Sequence, residues 1–172
     1  MYHISNPVSN QSSNQSKWQT VVILTLALWL GGSLILDLVI MPGMYASGMM
    51  EQSGFAAAGY SIFEAFNHIE VLSAAIILTG LLAIHHRASQ LVPRSRWAIA
   101  LASLLLAITL IYLYGLTPEM SALGLNLNLF ESSPSVPSAM GLMHGSYWVL
   151  EICKLALGAV ILGLNYPTPQ MR

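Results

Sequence analysis

Residues 18–42 read WQTVVILTLALWLGGSLILDLVIMP, and this stretch decides the fold. A helix of about 20 apolar residues crosses a hydrocarbon core of about 30 Å, and this run is long enough to do so. Asp37 is its only charged residue, and Pro42 closes it as a residue that cannot continue a helix. Strands in lipid must close into barrels and alternate in polarity, and the run does not alternate. It therefore reads as a transmembrane helix.

Three similar runs follow, at 63–84, 97–116 and 142–164, punctuated by Pro93, the Thr117-Pro118 pair and Pro167. Across its 172 residues the chain is 55% hydrophobic and 8% charged, with a mean hydropathy of +0.65. A soluble domain carries about 25% charged residues. The fold class is thus all-α, an integral membrane four-helix bundle over residues 18–164. The preceding residues 1–17, MYHISNPVSNQSSNQSK, are polar and lack the apolar centre of a signal peptide, so they are expected to form a disordered tail. Residues 165–172 make a short C-terminal tail. The six Lys and Arg residues are spread too thinly for a phosphate-binding patch, which excludes a nucleic-acid partner.

Cation distribution sets the expected orientation. Lys17, Arg87, Arg94, Arg96 and Arg172 all fall on one side of the four spans, while loops 43–62 and 117–141 hold Glu51, Glu119 and Glu131 but no Lys or Arg. By the positive-inside rule both termini are cytoplasmic. Either a plasma membrane or a thylakoid-type inner membrane accommodates such a chain.

Counting 1.5 Å per residue from the cytoplasmic ends brings Asp37, His68 and His144 to a common outer layer, with Glu70 and Glu151 one turn deeper and Lys154 deeper still. An ionisable group near the bilayer centre costs about 2.5 to 3.5 kcal/mol on insertion scales, so such groups turn inward and pair. Asp37, Glu64, His68, Glu70, His144, Glu151 and Lys154 are expected to form one polar cluster, with Asp37 held by His68 or His144. On the first helix Thr25, Trp29, Ser33 and Asp37 recur every four residues as a drifting polar stripe. The third helix offers only Ser103, Thr109 and tyrosines, and reads as scaffold. Such a cluster either fixes helix register or binds a ligand or protons.

Seven methionines, at 41, 44, 49, 50, 120, 140 and 143, lie in or beside the two outer loops. Soft thioethers beside imidazole suit Cu(I), which makes Met44, Met49, Met50, Met143 and His144 a candidate metal set; methionine is also a common gap filler. A bis-histidine haem b between His68 and His144 is conceivable in a four-helix bundle. No nucleophile, phosphate-loop, dinucleotide or zinc-protease motif occurs, so an enzyme is the weaker expectation, with a haem-dependent redox enzyme as its form. Cys153 sits in an apolar run and is expected to pack as a small hydrophobe.

Trp29 with Gly31-Gly32, Pro42 followed by Tyr45, the exit Thr117-Pro118-Glu119-Met120, and Met143-His144-Gly145 together resemble the transmembrane protein 205-like family. A more distant likeness links the chain to copper-resistance D membrane proteins. The resemblance covers about residues 18–164. It implies a small helical bundle without an established catalytic mechanism, occasionally linked to metal or metallodrug handling.

Two functions follow as expectations. The polar cluster binds or passes a metal ion, a haem or protons; alternatively the chain is a non-catalytic accessory or assembly subunit of a larger membrane complex, or a homo-oligomer, docking through its lipid-facing sides.

Overall fold

The computed structural model describes residues 7–49, 52, 54–87, 93–122 and 138–166. Helix α1 (Pro7–Ile35) passes through a π-helical turn (Leu36–Ile40) into α2 (Met41–Ala46), forming one continuous rod. Gly48 and Gly54, at φ +70° and +96°, take the left-handed backbone that reverses the chain into α3 (Phe55–Arg87). Helix α4 (Pro93–Ile111) ends in a second π-helical turn (Tyr112–Leu116) and stays helical to residue 122. Helix α5 (Ser138–Asn165) completes the described chain.

Residues 7–17, expected as a disordered tail, instead form the start of α1, which corrects that expectation. Pro7 stands at the first helical position, where its missing N–H costs nothing, and residues 8–17 contain neither Gly nor Pro. Extending an existing helix is far cheaper than nucleating one, so the apolar span carries its helix back into the polar stretch. The other end of the second span also grows, since α3 begins at Phe55 rather than at residue 63.

Four helical stretches, Ser16–Ala46, Ala57–His86, Arg96–Ala122 and Gly141–Asn165, are long and apolar enough to cross a membrane. Only 22% to 33% of their most apolar windows is buried, so most of that apolar surface faces outward. Leu28, Leu38, Leu72, Val149 and Ile152 are all more than half exposed, as lipid-facing side chains are. Cys153 is among the exposed residues rather than packed inside. The chain is a multi-pass helical membrane protein.

The helices close a ring in chain order, α1 on α3, α3 on α4, α4 on α5, and α5 back on α1. Two glycines permit the closest approaches. A Cβ on Gly80 would stand 2.5 Å from Val22 Cγ2, and one on Gly158 2.7 Å from Leu30 Cδ2.

The ring is filled unevenly along its length. Towards the end carrying Lys17 and Arg96, Val22, Leu26, Trp29, Ile77, Leu81, Ala98, Ala102, Leu105 and Ile161 form an apolar plug. Gln19 Nε2 donates to the Asn165 carbonyl at 2.8 Å across the bottom of that half. Towards the end carrying Pro42 and Pro118, the interior turns polar.

Candidate functional site

The polar half is organised around Lys154, which sits one turn after Glu151 on α5. Its Nζ donates to Glu70 Oε1 of α3 at 2.5 Å and pairs with Glu151 Oε2 at 2.7 Å. All three side chains are at most 4% exposed. Ser33 Oγ of α1 donates to the same Glu70 oxygen at 3.3 Å, and Lys154 Nζ lies 4.8 Å over the Tyr112 ring. Four helices therefore meet around the Lys154–Glu70 pair.

Asp37 lies in the π-helical turn that follows α1 and is 5% exposed. The Tyr147 hydroxyl of α5 donates to its Oδ1 at 3.2 Å, and its carboxyl neighbours that of Glu151. Tyr112, in the second π-helical turn, donates to the Tyr147 backbone carbonyl at 2.7 Å. Tyr147 is the hub of an aromatic group, edge-on to Phe63, Tyr112 and Trp148 with centroids 5.8, 5.2 and 6.1 Å away. Nearby, Asn67 Nδ2 donates to Thr117 Oγ1 at 2.6 Å in a buried contact between the second and third spans.

Among the described residues, Asp37 Oδ2, Glu70 Oε2, Glu151 Oε1 and the Trp29 indole Nε1 are buried without a well-formed hydrogen bond, the Trp29 indole lying beside the Glu70 carboxyl. Burying a polar atom without a partner costs about 1 to 3 kcal/mol, more for a charged group. Charge is unbalanced too, with three carboxyls on one ammonium.

Of the residues expected in the cluster, Asp37, Glu70, Glu151 and Lys154 come together. Glu64 is half-buried, and His68 and His144 are exposed. The expected partnership of Asp37 with a histidine is replaced by the bond to Tyr147. On α3 the inward face runs through Asn67, Glu70, Ser73, Ala74 and Ile77, and His68 is turned about 100° from Asn67, off that face. Its Nδ1 donates instead to the Glu64 carbonyl at 2.7 Å. His144 lies in the exposed first part of α5.

Of the candidate methionines, Met44 and Met143 are half-buried and Met49 exposed, while Met50 lies outside the described residues. Among the described residues, no three His, Cys, Asp or Glu side chains stand close enough to share one metal ion.

The third span is more than scaffold, since it supplies Tyr112, 1% exposed, and Thr117 to the polar half. Tyrosines near span ends suggest interfacial rings, which hid Tyr112 and Tyr147. The available signal was depth, because both fall level with the carboxylates they touch. Asn67 was also missed, although it stands one helical step from Glu70.

A family model described as a domain of unknown function, DUF4149, matches residues 24–126, which takes in Ser33, Asp37, Asn67, Glu70, Tyr112 and Thr117. It does not reach Tyr147, Glu151 or Lys154. No curated protein and no solved structure matches the chain. The match does not name transmembrane protein 205-like or copper-resistance D proteins.

Proposed function

This chain belongs to the DUF4149 family, a domain of unknown function, and we propose from the site alone that its bundle core binds a proton and exchanges it with one face of the membrane. Asp37, Glu70 and Glu151 are buried with a single ammonium among them, and each keeps an oxygen without a partner. Fully ionised, the group would hold two uncompensated negative charges, at an effective penalty of several kcal/mol per ion. A proton shared between Asp37 Oδ2 and the neighbouring Glu151 carboxyl gives both orphan oxygens a partner and removes one of those charges. Two close carboxylates share a proton for the same reason in other proteins.

Access is one-sided. Among the described residues, the apolar plug from Val22 to Ile161 separates the cluster from the cation-bearing end, whereas polar side chains, Tyr147 and the Asn67–Thr117 contact, lie between it and the end carrying Pro42 and Pro118. We place that second face outside the cytoplasm from the distribution of Lys and Arg. A site open to one face suits proton sensing or proton-coupled conformational change rather than a continuous wire.

Dicyclohexylcarbodiimide, which modifies buried carboxylic acids but not carboxylates, tests the proposal on the detergent-purified chain. Modification is expected at Asp37 or Glu151, falling as pH rises because only the acid form reacts, and disappearing in an Asp37→Asn, Glu151→Gln double variant. A folded protein modified at neither residue at any pH would overturn it.

A second reading, copper handling, rests on the half-buried Met44 and Met143 at the same end; the resemblance to transmembrane protein 205-like and copper-resistance D proteins read from short motifs stays a proposal beside it. The accessory-subunit reading draws instead on the apolar outer surface, with the Lys154 pair serving only to fix helix register.

A further inference from the structure

The two π-helical turns share their length, their hydrogen bond and their spacing to a proline. Leu36–Ile40 and Tyr112–Leu116 are each five residues long, and each is followed by one residue and then a proline. In each the amide of the residue before the proline bonds back five positions, Met41 N–H to the Leu36 carbonyl and Thr117 N–H to the Tyr112 carbonyl. Neither proline can donate to the carbonyl four residues earlier, so Leu38 and Tyr114 each lose an α-helical bond inside the turn.

The correspondence extends well beyond the turns. The interval separating Pro42 from Pro118 also separates Met44 from Met120, Ala46 from Ala122 and His68 from His144. At that same interval, buried positions pair with buried positions: Val22 with Ala98, Leu26 with Ala102, Trp29 with Leu105, Ser33 with Thr109, and Leu36 with Tyr112. The first and third spans are two copies of one pattern, each broken at the depth of the cluster. π-Helical turns inside α-helices mark places where a helix bends or where function sits.

One residue joins the two breaks. Tyr147 donates to Asp37 in the first turn and accepts, through its backbone carbonyl, from Tyr112 in the second. We infer that the two π-helical turns are a coupled hinge pair, tied through Tyr147, whose joint movement opens and closes the buried cluster towards the face carrying Pro42 and Pro118. Movement of the outer part of the third span draws Tyr112 from the Tyr147 backbone, shifts the Tyr147 ring, and loosens its hydroxyl from Asp37. Movement of the first span runs the same chain backwards. That the opening serves proton exchange rests on the reading above; the coupling and the opening do not.

Hydrogen exchange read by mass spectrometry on the detergent-purified full chain tests the coupling, on peptides covering 36–46 and 112–122. Tyr112→Phe removes a bond in the second turn only. Coupling predicts faster exchange in both peptides, by about threefold or more for loss of one hydrogen bond. In a Tyr147→Phe background, where the tie to Asp37 is gone, Tyr112→Phe should no longer move the 36–46 peptide. Exchange confined to the altered segment would overturn the coupled pair. Should Tyr112→Phe fail to fold, Pro118→Ala perturbs the same turn and is read by the same cross-effect.

Opening is measured separately, as the rate at which a small water-soluble methanethiosulfonate labels Ser33→Cys in a Cys153→Ala chain. Tyr112→Phe should raise that rate by the same factor as the exchange, and an unchanged rate would overturn the opening. This label does not depend on a bound proton, so it succeeds or fails independently of carbodiimide modification.

Discussion

Replacing Lys154 by methionine keeps most of the side-chain bulk and removes the one cation of the cluster. Glu70 loses a 2.5 Å charged hydrogen bond and Glu151 its 2.7 Å ion pair, leaving three buried carboxyls with no ammonium. Breaking a buried pair by deleting one partner costs about 3 to 5 kcal/mol, because the surviving charge stays in a poor solvent. For a chain of this size each kcal/mol shifts the unfolding midpoint by about 2 to 4 °C, which places the loss at about 6 to 20 °C. Glu70→Gln should cost much less, about 1 to 3 kcal/mol, because the amide oxygen still accepts from Lys154 and Ser33 and one excess negative charge is gone. The double variant should lose less than the sum of the two, as expected for residues in direct contact. Thermostability of the detergent-solubilised variants, scored by the monodisperse fraction surviving a heating series, gives all three midpoints. A Lys154→Met midpoint within 2 °C of the parent, a bound set by about 1 kcal/mol, would show that water already solvates the cluster and refute the buried pair.

Gly80→Ala should destabilise the bundle by about 1 to 3 kcal/mol, because its Cβ meets the buried, short Val22 side chain. Gly158→Ala should cost less, since Leu30 can swing its Cδ2 away; equal midpoints for the two variants would contradict the close packing at Gly80. Single cysteines at Met50→Cys and Gln90→Cys, in a Cys153→Ala background, should react with an impermeant thiol reagent from opposite sides of sealed cells, the first from outside. Equal labelling would remove the assigned orientation. If the methionines are ligands, changing Met44, Met49 and Met143 to Leu should lower Cu(I) affinity while leaving thermostability nearly unchanged; no Cu(I) binding by the parent, or unchanged affinity, retires copper.

The spans were legible because crossing a bilayer demands long apolar runs, a constraint that composition reveals directly. Their polar ends were less so. The helix before Trp18 is carried by propagation from its neighbour rather than by its own residues, and no local pattern marks it. Counting rise per residue brought Glu70, Glu151 and Lys154 within a few turns of one another, and those three do meet. Depth alone, however, carries no azimuth. His68 and His144 share a layer with Asp37, yet which way each faces depends on how the bundle rotates α3 and α5. That rotation is set by contacts such as Gly80 against Val22, which lie far apart in the chain. The π-helical turns were hidden as well, since Pro42 and Pro118 read as terminators and nothing local says that the helix continues past them.

Infrared difference spectroscopy of the purified chain, stepped through pH in light and heavy water, tests the buried proton most directly. A carboxylic-acid carbonyl band should be present near neutral pH, shift in heavy water, and vanish in Asp37→Asn, Glu151→Gln, while Glu64→Gln leaves it in place. If the parent shows only ionised carboxylate bands at that pH, the cluster holds no proton and the proposed site is contradicted.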